Sequence, residues 1–294
     1  MKLQRNGYGS RINRRLTQVS VKKRTPRVVT FTSGKEGVGQ TSILINLGLA
    51  LRQMAYRVLL IDGAVGGARL GTLLGLEAKP NLGDFFRGRK KLAEILTDGP
   101  LGLKVLPGVP ELTGPGSLNL DQKLGFLEGV DQLAPGFDYI LVDSGTGVSN
   151  QVLYFNLGAT HRIIVVDHEA TSLVEAYSMV KFLAGCQAGK RFQFLFNKIS
   201  QPQLAEAAFS QLTRIADRFL NGAVFMEYLG CIPFDRAIPA AEAEMCPLLA
   251  LYPNSPAGLA FLDLARQLDL QAPQNPDCGS IHFGRPKRHH RAAC

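Results

Sequence analysis

The stretch that most constrains this chain is Ser33-Gly34-Lys35-Glu36-Gly37-Val38-Gly39-Gln40-Thr41-Ser42, three glycines within ten residues. The apolar run Val28-Val29-Thr30-Phe31-Thr32 leads into it, and a helical pattern from Ile43 to Met54 leads out. Strand, glycine-rich loop and helix in that order are the context of a phosphate-cradling loop. The glycines let consecutive backbone N–H groups turn inward, and the N-terminus of the following helix adds partial positive charge where a phosphate would sit. Thr41 stands where a Mg²⁺-binding hydroxyl belongs. The lysine expected just before it, which would reach β- and γ-phosphates, is replaced by Gln40; a lysine stands earlier in the loop, Lys35.

From Val28 onward, strand-like and helix-like patterns alternate. Val58–Ile61, Lys104–Leu106, Tyr139–Val142, Ile163–Val166, Phe192–Phe196 and Val224–Leu229 are short apolar runs of the buried-strand kind. Helical spacing fills the intervals Ser42–Ala55, Gln122–Leu133, Leu173–Ala184, Gln203–Leu220 and Ala257–Leu268. Continuous apolar strands separated by helices predict an α/β fold, a mostly parallel sheet with helices on both faces. The stripe Leu259, Leu262, Ala265 and Leu268 is expected to be the core face of the last helix. No repeat or internal linker interrupts residues 28–270, so one domain is the economical expectation, and 294 residues bury a sizeable core.

The net charge of +9 is unevenly placed. Residues 1–27 carry nine basic side chains and no acid, residues 271–294 sum to +3, and residues 28–270 sum to −3. The ends are therefore expected to be a flexible basic arm (1–27) and a flexible basic tail (271–294). The arm reads first as a solvated, solubilising segment and second as a contact for nucleic acid, anionic lipid or another polyanion. Five scattered cysteines without metal-ligand spacing fit a reducing compartment. There is no secretory signal and no apolar stretch of about 20 residues that could span a bilayer, and the expected localisation is cytoplasmic.

Ligands of open α/β sheets bind beyond the C-terminal ends of strands, which draws attention to two carboxylates. Asp143 follows Ile140-Leu141-Val142 and is placed like the acid that organises Mg²⁺ and its waters; its plainer role is a turn or helix cap. Asp62, at the end of the second strand, has the same two readings at closer to even weight.

At this point residues 28–270 resemble the MinD/ParA family of deviant P-loop ATPases, and most of all its MinD-type flagellar-number regulators (FlhG/FleN). The family's loop reads K-G-G-x-G-K-T, and Lys35, Gly37, Gly39 and Thr41 match it. Asn46-Leu47-Gly48 resembles its following helix. Ile61-Asp62 through Leu70, followed by Leu73-Leu74-Gly75-Leu76, resembles its first switch, and Asp138 through Gly147 its second. Glu169-Ala170-Thr171-Ser172 is similar to a segment typical of the MinD side. Asn197 matches an asparagine that faces adenine, and Gly230-Cys231-Ile232-Pro233-Phe234-Asp235 a base-lining turn. The resemblance implies a P-loop NTPase fold and Mg-ATP as cofactor. Gly34, Lys35, Gly37, Val38, Gly39, Gln40, Thr41, Ser42, Asn197 and Pro233 would bind nucleotide, and Thr41 and Asp143 the Mg²⁺. It also implies a nucleotide-dependent homodimer in which Lys35 reaches the partner's phosphates, with Asp62 as a second catalytic residue and a regulatory protein as partner.

Three positions depart from that pattern. Gln40 puts a neutral amide where a full charge belongs, and charge-assisted hydrogen bonds are about twice as strong as neutral ones. Glu36 brings a carboxylate in place of a glycine. Ala64 stands where the family's second switch-I aspartate positions the attacking water. Pro273, Pro276 and Pro286 break any C-terminal membrane-targeting helix, and the Asp-Gln-Ala motif of the flagellar regulators is not visible in residues 1–27. The expectation is a MinD-like ATP-binding regulatory switch with weakened or absent hydrolysis. The alternatives are an active ATPase in which Lys35 substitutes for the missing lysine, and a non-enzymatic protein that holds DNA or another polyanion through its arm.

Overall fold

Alternate residues of the central strands face opposite helix layers, and this period of two builds the core. Val29 and Phe31, Val58 and Leu60, Tyr139 and Leu141, and Ile163 and Val165 pack on one side. Val28, Leu59, Ile61, Ile140 and Val142, and beyond them Ile164, Val166, Phe192, Phe194 and Phe196, pack on the other. The computed structural model describes residues 25–64, 69–76, 80–109, 118–220, 222 and 224–271. In chain order the elements are β1 (Arg27–Ser33), α1 (Gln40–Gln53), β2 (Val58–Asp62), α2 (Arg69–Leu73), α3 (Leu82–Phe86), α4 (Leu92–Ile95), β3 (Thr97–Asp98), β4 (Lys104–Leu106), α5 (Leu120–Leu133), β5 (Tyr139–Thr146), α6 (Asn150–Leu157), β6 (His161–Val166), α7 (Ala170–Gly185), β7 (Arg191–Ile199), α8 (Pro202–Leu220), β8 (Phe225–Pro233), α9 (Ala237–Ala243), α10 (Leu248–Leu251) and α11 (Pro256–Leu270).

The strands form one eight-stranded sheet in the order β3-β4-β2-β5-β1-β6-β7-β8. All neighbours are parallel except the short β3, which runs antiparallel to β4. Helices α1 and α11 cover one face with α9 and α10, while α4 to α8 cover the other. The mostly parallel sheet covered on both faces is the one expected. β1 sits centrally between β5 and β6, so the loop after it opens at a crevice where connections leave to opposite faces, the usual ligand position in such sheets.

Three differences from the sequence reading are instructive. Helix α1 begins at Gln40, because Gly39 in a left-handed conformation (φ 88°) is its N-cap. Helix α6 has no amphipathic period to announce it; Ser149 starts it by accepting a hydrogen bond from the Val152 N–H. In α11 the buried face is Ala257, Gly258, Phe261, Leu264, Ala265 and Leu268, whereas Leu259 is half exposed. Ala265 and Leu268 of the expected stripe are thus buried and Leu262 packs partly buried on the same core, but Leu259 faces outward and Phe261 takes an inward place.

The lower end of the sheet is closed by Arg27. Its guanidinium donates to the carbonyls of Leu268 (2.8 Å) and Asp269 (3.0 Å) at the end of α11, and to the Tyr139 hydroxyl (3.3 Å). Tyr139 in turn donates to Asp269 Oδ1 at 3.0 Å. A cation on the last carbonyls of a helix satisfies orphan acceptors and opposes the helix dipole. Residues 1–24 and 272–294, which hold most of the expected arm and tail, lie outside the described residues. Among the described residues no helix is long and apolar enough to cross a membrane.

Candidate functional site

The loop between β1 and α1 is shaped by two glycines with positive φ, Gly37 at 76° and Gly39 at 88°. A Cβ on Gly39 would lie 2.3 Å from Asn197 Nδ2, whereas one on Gly37 would meet open space. Gly34 does something else: a Cβ there would lie 2.5 Å from the Glu175 backbone, so this glycine lets the loop pack against α7. β7 supports the loop from the far side. Asn197 Nδ2 donates to the Val38 carbonyl at 2.7 Å, and Lys198 Nζ donates to the Gly37 carbonyl at 2.7 Å. Lys198 holds a left-handed φ of 59° at the place where the β7–β8 register shifts. Ser42 is buried in the first turn of α1, and its carbonyl accepts from Asn46 Nδ2.

Gln40 is buried, and its side chain points down into the sheet. Nε2 donates to Asp143 Oδ1 (2.6 Å), the Phe31 carbonyl (2.9 Å) and, at longer range, the Gly145 carbonyl (3.3 Å). Three surrounding oxygens fix the amide orientation, because the flipped form would oppose oxygen to oxygen. Oε1 is left buried with no hydrogen-bond partner. Thr41 Oγ1 donates to Asp143 Oδ2 at 2.6 Å, and the Gly145 N–H also reaches Oδ1, at 3.2 Å. Burial pushes the Asp143 carboxyl up, while Thr41, the Gly145 N–H, Gln40 and the charge of Arg69 hold it down.

Asp62 lies beside Asp143 across the β2–β5 pairing but beneath the crevice. It accepts from the backbone N–H of Ala64 (3.2 Å) and of Leu70 (3.3 Å). Burial, and then the charge of Asp143, push its carboxyl up to about 8, against the pull of those N–H groups and that of Gly108. Geometrically it ties Ala64, just after β2, to Leu70 of α2. Gln151 of α6 donates to the Gly63 carbonyl in the same turn.

Lys35 extends away from the loop. Its ammonium is hydrogen-bonded to Glu169, which raises the lysine and lowers the glutamate, and it lies 3.9 Å from Asp167. Both carboxylates belong to the segment that starts α7.

These groups border one crevice of about 1220 Å³, large enough for a nucleotide. It is lined by Lys35 through Thr41, Ala64, Arg69, Asp143, Asn197, Lys198, Pro233, Phe234 and Asp235, among others. At the end formed by β7, Asn197 Oδ1 is buried without a partner, while Nδ2 donates to the Val38 carbonyl. An orphaned acceptor suits an exocyclic amino group such as that of adenine. At the other end, the backbone cradle and the Thr41–Asp143 pair suit phosphates and a hard divalent cation. The residues fit a magnesium nucleotide, with no cation at position 40.

Residues 29–248 match the CobQ/CobB/MinD/ParA nucleotide binding domain. The chain belongs to that family. Among its relatives, the antiactivator FleN of Pseudomonas aeruginosa is 34% identical over 258 residues, covering 87% of this chain and 91% of FleN. The flagellum site-determining protein YlxH of Helicobacter pylori is 26% identical over 239 residues, covering 79% of this chain and 78% of YlxH. A chain of the Aquifex aeolicus MinC:MinD cell division protein complex superposes with a TM-score of 0.68 at 27% identity, covering 84% of this chain and 97% of that one. The septum site-determining protein MinD of Pyrococcus horikoshii, complexed with Mg-ADP, has the same fold, with a TM-score of 0.67 at 23% identity over 83% of this chain and 96% of that one.

Within this MinD/ParA-type chain, the structure brings Gly37, Val38, Gly39, Gln40, Thr41, Ser42, Asp143, Asn197 and Pro233 to one crevice, with Lys35 at its rim. Gly34 and Asp62 support the crevice from behind. Sequence reasoning gave no role to Arg69, Gln151 and Lys198. Lys198 had one usable signal, its place next to Asn197, and Arg69 had another, its place in the segment that resembles the first switch; Gln151 meets Gly63 from 88 residues away.

Proposed function

We propose that this protein is a nucleotide-binding regulator of the FleN kind, which binds Mg-ATP, hydrolyses it feebly or not at all, and pairs with a second copy when nucleotide is bound. The observation that carries this reading is the Gln40 amide, which is spent on Asp143 and backbone carbonyls. The backbone of residues 37–42 would cradle the phosphates, Thr41 and Asp143 would hold the metal, and Asn197 Oδ1 would accept from the base. Bound Mg²⁺ supplies neutralisation of phosphate charge, the main requirement of phosphoryl transfer. A water in line with the terminal phosphate needs a polar side chain to orient it, and the methyl group of Ala64 offers none. Retained binding groups beside missing catalytic ones favour a switch read out by partners over a fast enzyme. Similarity to the antiactivator FleN and the flagellum site-determining protein YlxH supports a role in flagellar number or placement.

The test is titration calorimetry of the full chain with Mg-ATP, run beside a phosphate-release assay. Saturable binding with turnover at the background rate is the expected result. Absence of both heat and thermal shift at millimolar nucleotide would overturn the binding claim, and turnover of about 1 s⁻¹ or more, in the range of ordinary enzymes, would overturn the weak-hydrolysis claim.

A further inference from the structure

Three cationic side chains are found among the described residues lining the crevice: Lys35, Arg69 and Lys198. Lys35 is held by Glu169 and Asp167, and Lys198 by the Gly37 carbonyl. Arg69 is exposed and makes no hydrogen bond or ion pair with a described residue. Its backbone is nevertheless placed firmly, at the start of α2, where the next residue, Leu70, is buried and donates its N–H to Asp62. An anchored stem with an uncommitted guanidinium is the arrangement of a ligand-seeking side chain. Its charge already reaches Asp143 at the foot of the loop.

Gln40 leaves the start of α1 without a cation. Its donor atom faces the sheet, so it offers nothing to a phosphate, and its Oε1 is a buried acceptor without a donor. A guanidinium has five N–H donors in a planar fork, enough to bind phosphate oxygens two at a time and still serve a carbonyl. We infer that Arg69 is the phosphate-binding cation of this chain, taking over from position 40 and donating to the terminal phosphates of a nucleoside di- or triphosphate bound in the loop.

The assignment rests on the nucleotide-binding reading above. It moves the phosphate contact from the rigid start of α1 to the segment after β2. Arg69 would then carry the nucleotide's charge to α2, whose Leu70 N–H is held by Asp62.

Titration calorimetry on the full chain, with Mg-ATP and Mg-ADP at several NaCl concentrations, separates the possibilities. Arg69→Ala is expected to raise Kd about 10- to 100-fold and to flatten the salt dependence, while the melting temperature of the nucleotide-free protein stays unchanged because the side chain is exposed. Arg69→Lys should recover part of the affinity. Adding Gln40→Lys should shrink the penalty of Arg69→Ala, since a loop lysine restores the charge by another route. Wild-type binding that Arg69→Ala leaves intact would overturn the Arg69 assignment and spare the nucleotide reading. Weaker binding with an unchanged salt slope would overturn it too, because the loss would then not be one of charge. Failure of the wild type itself to bind would overturn both.

Discussion

Gln40 Nε2 lies 2.6 Å from Oδ1 of Asp143, and the neighbouring Thr41 hydroxyl lies 2.6 Å from Oδ2 of the same carboxylate. Two consecutive residues at the start of α1 thus hold both oxygens of a buried acid with neutral donors. A lysine at position 40 would place a cation beside Asp143; the amide does not, and the carboxyl of neighbouring Asp62 is pushed up by burial and by the charge of Asp143. The site is short of one positive charge.

Gln40→Lys should therefore tighten Mg-ATP binding by about tenfold, equivalent to ~1.4 kcal/mol, and draw the Asp62 carboxyl down. Turnover should stay at background, because Ala64 is untouched. Calorimetry and phosphate release read the two effects separately. Weaker binding in the variant would mean that the loop needs the amide more than the charge.

Gly39→Ala and Gly37→Ala form a matched pair. Both residues have positive φ, which costs a residue with a Cβ roughly 1–2 kcal/mol. Only at Gly39 does the added methyl group meet Asn197. Denaturant unfolding should show the larger loss for Gly39→Ala, accompanied by loss of nucleotide binding as Asn197 is displaced from Val38. Equal losses would show that backbone strain alone is at work.

His161 is buried in β6, with neither ring nitrogen hydrogen-bonded. Burial, and then the charge of Arg27, push it down to about 4, against the effect of Gln193. Its unfolded value is about 6.5, so between that pH and about 4 the unfolded chain binds more protons than the folded one. This contribution to stability is complete above about pH 6.5 and is lost as the pH falls through the window, up to ~3 kcal/mol at the acid end. Urea midpoints of the wild type and His161→Leu at pH values across that window should diverge from a parallel course. A constant difference between the two proteins would refute the assignment.

Lys35→Ala should lower the melting temperature only slightly, because its close partner Glu169 is exposed and the buried Asp167 lies 3.9 Å away. What it should abolish is pairing of two copies in Mg-ATP, measured by sedimentation velocity. Glu169→Ala, which releases Lys35 without deleting it, should preserve pairing. Pairing that survives in Lys35→Ala would assign the lysine to its own protomer.

Much of this architecture is legible in the chain because its signals are local. Val28–Thr32, Tyr139–Val142 and Ile163–Val166 are apolar runs bounded by polar residues, and each became a strand of the sheet. The positions of Asp143 and Asn197 follow from falling toward the C-terminal ends of strands, and that of Thr41 from the glycine-rich loop before it. What stays hidden depends on tertiary contacts. Glu169 meets Lys35 from 134 residues away. The direction of Gln40 is decided by carbonyls of Phe31 and Gly145 that no spacing rule brings together. Helices α9 and α10 are too short for a hydrophobic period to emerge, and Gly34 looks like one more loop glycine until α7 is seen against it.

The Arg27 clamp has a further consequence, for the two ends of the described chain. Arg27 opens β1 at the opposite end from the phosphate loop, about 20 Å away for a strand of this length, and it is hydrogen-bonded to the end of α11. The described chain therefore enters at Thr25 and leaves at Gln271 on the same side of the sheet, at the pole remote from the crevice. One arginine thus ties the first strand to the last helix, so fraying at either end of the described chain would loosen the other while leaving the phosphate loop at the far end of β1 untouched.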